Sequence, residues 1–165
     1  MAGTLLNAQA EVSVQEADFD LGLEVAALRA GDLTVGAVAS FVGTVRQWAD
    51  DSPVPGDGHP VLVLEHYPGM TERRIEAMVA QARQRFDVRG VRVVHRFGPL
   101  SLGDQIVLVA VTSAHRREAF QCCEFLMDWL KTDAPFWKKE CSVEGARWVE
   151  ARAEDDHARD RWSLP

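Results

Sequence analysis

The spacing of apolar and polar residues changes period along the chain, and each change marks an element. Residues 9–14 alternate polar and apolar and predict an edge strand. Leu21, Val25 and Leu28 share one face of a short helix ending near Arg29, with Asp18 or Asp20 as its cap and Gly31-Asp32 as its stop. The run VGAVASFVGTVR, residues 35–46, is β-branched, small and aromatic, and predicts a long strand. Gly36 and Gly43 within it predict a bulge or a close backbone approach. QWADDSPVPGDGHP, residues 47–60, is a flexible Pro/Gly/Asp loop between two strands.

VLVLEH, residues 61–66, is a buried-type strand followed by a Pro68-Gly69 turn. Thr71 is then expected to cap a helix running to about Phe86, with Ile75, Met78, Val79 and Ala82 as its apolar stripe. Residues 91–97 and 105–112 are two more strands, joined by a turn region at Gly98-Pro99 and Gly103-Asp104. A second long helix runs from about His115 to Lys131, with Ala119, Phe120, Cys123, Met127 and Leu130 at three- and four-residue spacing. Lys131 sits at its C-terminus, where a cation suits the helix dipole. Residues 136–142 and 146–151 read as a hairpin around Glu144-Gly145. Strands and helices mix without strict alternation, so the fold class is α+β rather than a doubly wound sheet. No GxGxxG and no P-loop is present.

Composition narrows this picture. A chain of 165 residues, 47% hydrophobic and 26% charged, is one domain able to bury a core. Its net charge of −7 argues against non-specific nucleic-acid binding. Residues 1–60 alone carry −7, residues 61–114 carry +2, residues 115–152 are neutral and residues 153–165 carry −2. The acidity thus belongs to the first third and the tail, and the late chain keeps cations for a pocket. The tail, 153–165, is expected to be a mobile acidic appendage to a single domain. The three cysteines, Cys122, Cys123 and Cys141, form no CxxC pair, so reduced thiols are expected, with no disulfide framework and no zinc. Met1 to Ala10 lacks the pattern of a signal peptide, and no apolar run approaches the ~20 residues that span a bilayer. A soluble, cytoplasmic protein without membrane partners is expected.

Several cations stand at element ends, where a pocket gathers them. Arg46 ends a strand before the flexible loop, and His115 and Arg116 open the last helix. Lys131 closes that helix, Lys138 and Lys139 start the next strand, and Arg147 and Arg152 flank the last one. A helix start also presents free N–H groups to an anion. Each of these residues, taken alone, is equally an ordinary solvated charge. Glu65-His66 fits an acid–base pair or a hydrogen-bonded structural pair, and Trp129, Trp137, Trp148 and Trp162 fit core or interface. One of the adjacent cysteines is expected in the core and the other outside it. Spacing supports an α+β domain with an anion pocket and goes no further.

The strings SFVGTVR, LEHYPGMTE, TSAHRREAF, MDWLKTDAPFWKKE and EGARWVEAR, in that order across residues 35–152, resemble the large, catalytic subunit of molybdopterin synthase. The resemblance implies an α/β hammerhead-type core with an additional antiparallel β subdomain. It implies conversion of cyclic pyranopterin monophosphate (precursor Z) to molybdopterin in molybdenum cofactor biosynthesis. Two dithiolene sulfurs are inserted, each delivered as the C-terminal thiocarboxylate of a small ubiquitin-like subunit ending in Gly-Gly. A homodimer within a heterotetramer is implied, with an anionic pterin as substrate and no resident cofactor or metal. Carried over by position, Lys131 and Lys138 are the catalytic candidates, polarising an acyl oxygen, binding the anion or moving protons. Arg46, His115 and Arg116 match the anion-binding group, and Arg152 matches a late arginine that reaches the pocket in its own chain or across a dimer. Met127 and Phe136 wall the pocket for the partner's tail, with Glu140 orienting a lysine. Two rivals remain: a module that docks the ubiquitin-like partner without chemistry, and a sulfurtransferase using a Cys141 persulfide.

Overall fold

The structure is a computed structural model and describes residues 10–47, 61–149 and 160–163. Among these, β1 (Val12–Gln15), α1 (Leu21–Leu28) and β2 (Ala37–Thr44) are followed by β3 (Leu62–His66) and α2 (Met70–Arg85). Then come β4 (Gly90–Arg96), β5 (Gly98–Leu100), β6 (Gln105–Ser113), α3 (Arg116–Asp133), β7 (Phe136–Ser142) and β8 (Gly145–Val149). The strands form two four-stranded sheets, in the orders β1-β4-β6-β2 and β5-β3-β7-β8. Among the described strands only the β1–β4 pair is parallel. The architecture is α+β, as expected, and β1 is an edge strand.

The first sheet carries the core because both of its faces are covered. Val107, Val109 and Val111 of β6 pack with Ile75, Met78, Val79 and Ala82 of α2 and with Ala119, Cys122, Cys123 and Leu126 of α3. Leu108 and Ala110 point the other way, to Phe19, Val25 and Leu28. Successive strand residues face opposite sides, so a continuous apolar run is what a doubly covered strand requires. Both cysteines of the adjacent pair are buried, against the expectation for one of them. The apolar face of α3 is wide enough to take both, and Phe120, expected in the stripe, is 65% exposed instead. Burial pushes the Cys122 thiol up to about 12 and the Cys123 thiol up to about 11, which leaves neither as a thiolate.

Asp20 is the α1 cap, accepting from the Leu23 N–H at 2.8 Å. Thr71 does not cap α2, against expectation. The Pro68-Gly69 turn starts the helix early, with Gly69 at the cap position in a left-handed conformation (φ 80°). The Glu72 carboxylate accepts from the Gly69 N–H at 2.7 Å. The segment at Gly98-Pro99, read as a turn, is the short strand β5 paired with β3. Pro99 is tolerated there because β5 lies at the sheet edge. Of the C-terminal tail, residues 160–163 dock on the helices: the Trp162 indole donates to Asp128 at 2.7 Å and its ring meets Phe86 and Phe125 edge-on.

The chain crosses between the sheets at Phe97-Gly98, where Gly98 takes φ 85°. Here the His95 ring of β4 lies flat on Phe136 of β7, with centroids 3.8 Å apart and 17° between planes. His66 of β3 packs on Phe97 at 4.1 Å. The second sheet contributes its own small core, in which Leu62, Leu64 and Leu100 pack with Val45 and Val61.

Two polar groups enclosed in this frame are open to test. Arg92 is 5% exposed, and its guanidinium donates to Glu24 at 2.7 and 3.2 Å, to the Ala10 carbonyl at 2.6 Å and to Ser13 Oγ at 2.8 Å. It ties β4 to α1 and to the segment of β1. Removing the carboxylate strands a buried cation, so Glu24→Ala should cost about 3 kcal/mol in urea unfolding. Arg83→Ala, which breaks a half-exposed pair with Glu11, should cost less than about 1 kcal/mol. His95 ties stability to pH. Burial pushes its imidazole down to about 4, against a hydrogen bond from its Nδ1 to the Arg96 carbonyl that favours the charged form, and with His66 adding repulsion. Between about pH 6.5 and pH 4 the unfolded chain binds a proton there that the folded one does not. Stability should therefore fall as pH drops through that window, by up to about 3 kcal/mol. His95→Phe keeps a stacking ring without the titration, so thermal melts from pH 7.5 to 4 should show a flatter decline in that variant.

Candidate functional site

The site grows from the junction between α3 and β7. Lys131 lies exposed in the last turn of α3, one turn after Met127, which is half-buried against the main core. Ala134 precedes a proline and is held extended (φ −72°, ψ 125°), so the helix stops at Asp133. The Phe136 N–H bonds back to the Ala134 carbonyl at 2.8 Å, which closes a tight corner. Thr71, fully buried, donates its hydroxyl to the Pro135 carbonyl at 3.2 Å and accepts from the Tyr67 N–H at 3.0 Å. Lys131 and Lys138 therefore stand on the two sides of one corner.

Strand alternation sorts the side chains of β7. The register pairs His66 with Phe136, Leu64 with Lys138 and Leu62 with Glu140, so these residues share the face that holds the small core. Trp137, Lys139 and Cys141 point to the opposite face. The Glu140 carboxylate is 3.6 Å from the Lys138 Nζ and 3.3 Å from Arg147 of β8. Its side chain is 12% exposed, against 45% for Lys138 and 77% for Arg147. A sheltered carboxylate thus bridges two cations that reach outward. On the other face the Lys139 ammonium sits 5.3 Å from the Trp148 ring.

Arg46 is delivered by the end of β2. The register shifts between Gly43 and Thr44, the bulge expected at Gly43. A Cβ at Gly43 would lie 2.9 Å from the Val107 Cγ1, so a larger residue would displace the Val107 side chain. After the bulge, the Val45 N–H bonds to the Asp104 carbonyl at 2.9 Å and Val45 packs with Leu62 and Leu64. Those leucines are the cross-strand neighbours of Glu140 and Lys138, so Arg46 leaves the core beside the same strands, exposed.

His115 and Arg116 do not join this cluster within one chain. They are exposed at the N-terminal end of α3, and fifteen residues of helix separate Arg116 from Lys131, a rise of about 22 Å. Arg152 lies outside the described residues, as does the loop from 48 to 60. Phe136 is half-buried, its ring occupied by the His95 stack rather than facing open space on both sides. The sequence marks Arg147 only as a cation at an element end and Thr71 only as a helix cap, and it does not mark His95. The one available signal was that Thr71 falls within the LEHYPGMTE block. Among the described residues, no group of His, Cys, Asp and Glu is arranged to hold a metal ion, and no helix is long and apolar enough to cross a membrane.

The chain resembles known proteins in sequence and in fold. Residues 14–133 match the family described as MoaE protein. The chain is 57% identical over 153 residues to the molybdopterin synthase catalytic subunit of Ralstonia nicotianae, covering 93% of this chain and 84% of that one. Its fold superposes on the molybdopterin cofactor biosynthesis protein E of Burkholderia multivorans with a TM-score of 0.78 at 53% identity, covering 94% and 97% of the two chains. At 21% identity, which carries the fold alone, it also matches a chain in a complex of subunits 1 and 2 of molybdopterin-converting factor from Helicobacter pylori (TM-score 0.68, 87% and 92% covered). The chain belongs to the MoaE family, that of the molybdopterin synthase catalytic subunits.

Proposed function

We propose that this protein, as the catalytic subunit of molybdopterin synthase, converts cyclic pyranopterin monophosphate to molybdopterin in the cytoplasm. The sulfurs arrive on the C-terminal thiocarboxylate of a small ubiquitin-like subunit, whose extended tail lies along the corner between α3 and β7. The observation that carries this reading is the placement of Lys131 and Lys138 on either side of that corner, with Lys138 oriented by Glu140. An ammonium beside the acyl oxygen stabilises negative charge as it develops there, and a second one holds the anionic pterin or moves a proton. Arg147 adds positive charge beside Glu140, and Arg46 stands exposed at the end of β2, in a protein whose net charge is −7. In the H. pylori complex a chain of this fold assembles with a second subunit of molybdopterin-converting factor.

The length of α3 gives this reading a dimeric form. His115 and Arg116 stand about 22 Å from Lys131, too far to hold the phosphate of a pterin reacting beside Lys138 in the same chain. In a homodimer, His115 and Arg116 of the partner subunit complete the site, and each dimer has two such composite sites. Cys141 takes no part, because it points away from the face that carries Lys138 and Glu140.

With thiocarboxylated small subunit and precursor Z, Lys131→Ala and Lys138→Ala should each slow single-turnover molybdopterin formation by about 100-fold or more, while melting within a few degrees of wild type. Wild-type rates in both would remove the lysines from the chemistry. Retention of the small subunit by wild-type protein without product would instead favour a docking module. Cys141→Ser should keep full activity; its loss would favour a persulfide route. The composite site is tested by complementation. Arg116→Ala and Lys138→Ala chains, each nearly inactive alone, should recover about a quarter of wild-type activity once mixed and re-equilibrated as dimers, since half the dimers then hold one intact site. No recovery would place both residues in one chain's site.

A further inference from the structure

The LEHYPGMTE block carries part of the resemblance yet supplies no residue to the sulfur-transfer chemistry. Its Thr71 is the residue the helix does not use. A threonine in the first turn of a helix ordinarily bonds that helix's own backbone. Here Gly69 takes the cap position and Glu72 serves its N–H, so the Thr71 hydroxyl turns elsewhere. It reaches Pro135, 64 residues later in the chain, and bonds the carbonyl at 3.2 Å. It is anchored from behind by the Tyr67 N–H at 3.0 Å and is fully buried. That carbonyl lies where the helical pattern of α3 has ended and the ladder of β7 has not begun. The next residue, Phe136, is held from the other side by the flat stack on His95. The corner between the two lysines is thus gripped at consecutive residues, through backbone at 135 and side chain at 136.

We propose that Thr71 is a positioning residue for sulfur transfer: its hydroxyl fixes the Pro135 corner and, through the first residues of β7, the place of the Lys138 ammonium. The proposal rests on the assignment of Lys138 to the chemistry. A reacting group must be held to a fraction of an ångström, and a lysine on a four-carbon stem depends on the backbone beneath it. Glu140 orients the tip of Lys138, and the Thr71 bond sets the base from which it extends.

The test uses the full chain with thiocarboxylated small subunit and precursor Z, well below the melting temperature. Thr71→Val keeps the shape and removes both hydrogen bonds. It should lower kcat about tenfold and leave the KM for the small subunit within about twofold. Thr71→Ser keeps the hydroxyl and should stay within about threefold of wild type. In a Lys138→Ala background, with single turnover monitored over hours, Thr71→Val should change the residual rate less than about twofold, because its effect passes through the missing lysine. If Thr71→Val does not accumulate folded, Thr71→Ala, which leaves room for a water at the lost oxygen, replaces it with the same expected loss. Three results would overturn the proposal: unchanged kcat in a variant whose melting point has fallen, equal losses in the serine and valine variants, or an undiminished effect without Lys138. Full activity of Lys138→Ala would overturn the lysine assignment itself and this proposal with it, an outcome read from that single variant alone.

Discussion

Among the described residues the two sheets share no strand pairing, so the second is held to the first by packing: Val45 after β2 and Ile106 of β6 meet its small core, and a joint at the start of β7 holds its other side. At that joint the β4 chain passes between sheets at Phe97-Gly98, His95 lies on Phe136, and Thr71 holds Pro135. The helices pack on the first sheet, where the large apolar core sits. The second sheet has only the small cluster around Leu62, Leu64 and Leu100 behind it. β8 is paired only to β7, and β7 enters its sheet directly from the joint. Lys138, Glu140 and Arg147 all ride on those two strands. Their geometry relative to Lys131 and Arg46, which come from the first sheet's elements, therefore depends on the contacts at residues 95–98 and 135–136 together with the packing of Val45 and Ile106 on the small core. Two of these contacts are polar or titratable groups taken out of water, which a purely structural joint does not need.

What periodicity showed and what it hid divide along the same line. The stripes of α2 and the doubly covered run of β6 were legible because each element meets the core directly, and its burial pattern is written in its own residues. Gly36 and Gly43 were legible for a related reason: a strand that another backbone approaches closely needs a missing Cβ. A Cβ on Gly36 would lie 2.3 Å from the Ala114 carbonyl oxygen. Thr71 was misread because local rules place a first-turn threonine on its own helix, whereas its partner lies 64 residues away. β5 was misread because Gly-Pro is a turn signal unless a sheet edge lies beside it. The lysines came from the resemblance of whole blocks, since nothing local separates Lys138 from a solvated surface charge. Its bridge through Glu140 to Arg147 depends on the β7–β8 register, set by a hairpin with Gly145 at φ 133°.

The charge of the chain and the chemistry of the site pull in opposite directions, and the fold reconciles them by locality. A protein at −7 repels an anion such as the proposed pterin substrate at long range, but that repulsion is screened beyond about 8 Å at physiological salt. Within that distance only neighbours matter; Glu140 brings Lys138 and Arg147 together, while Lys131 and Arg46 stand exposed at the ends of α3 and β2. Glu140 does not cancel this cluster. Recessed on the inner face, it is sheltered from solvent while the cations it touches extend into it, and its contact narrows the rotamers open to Lys138. The 18-residue length of α3 then sets the remaining requirement. A helix that ends at Lys131 and begins at Arg116 places the same chain's two cationic ends a full helix apart. Under the proposed function an anion held at both ends needs two copies, with a twofold dimer bringing the start of one α3 to the finish of the other.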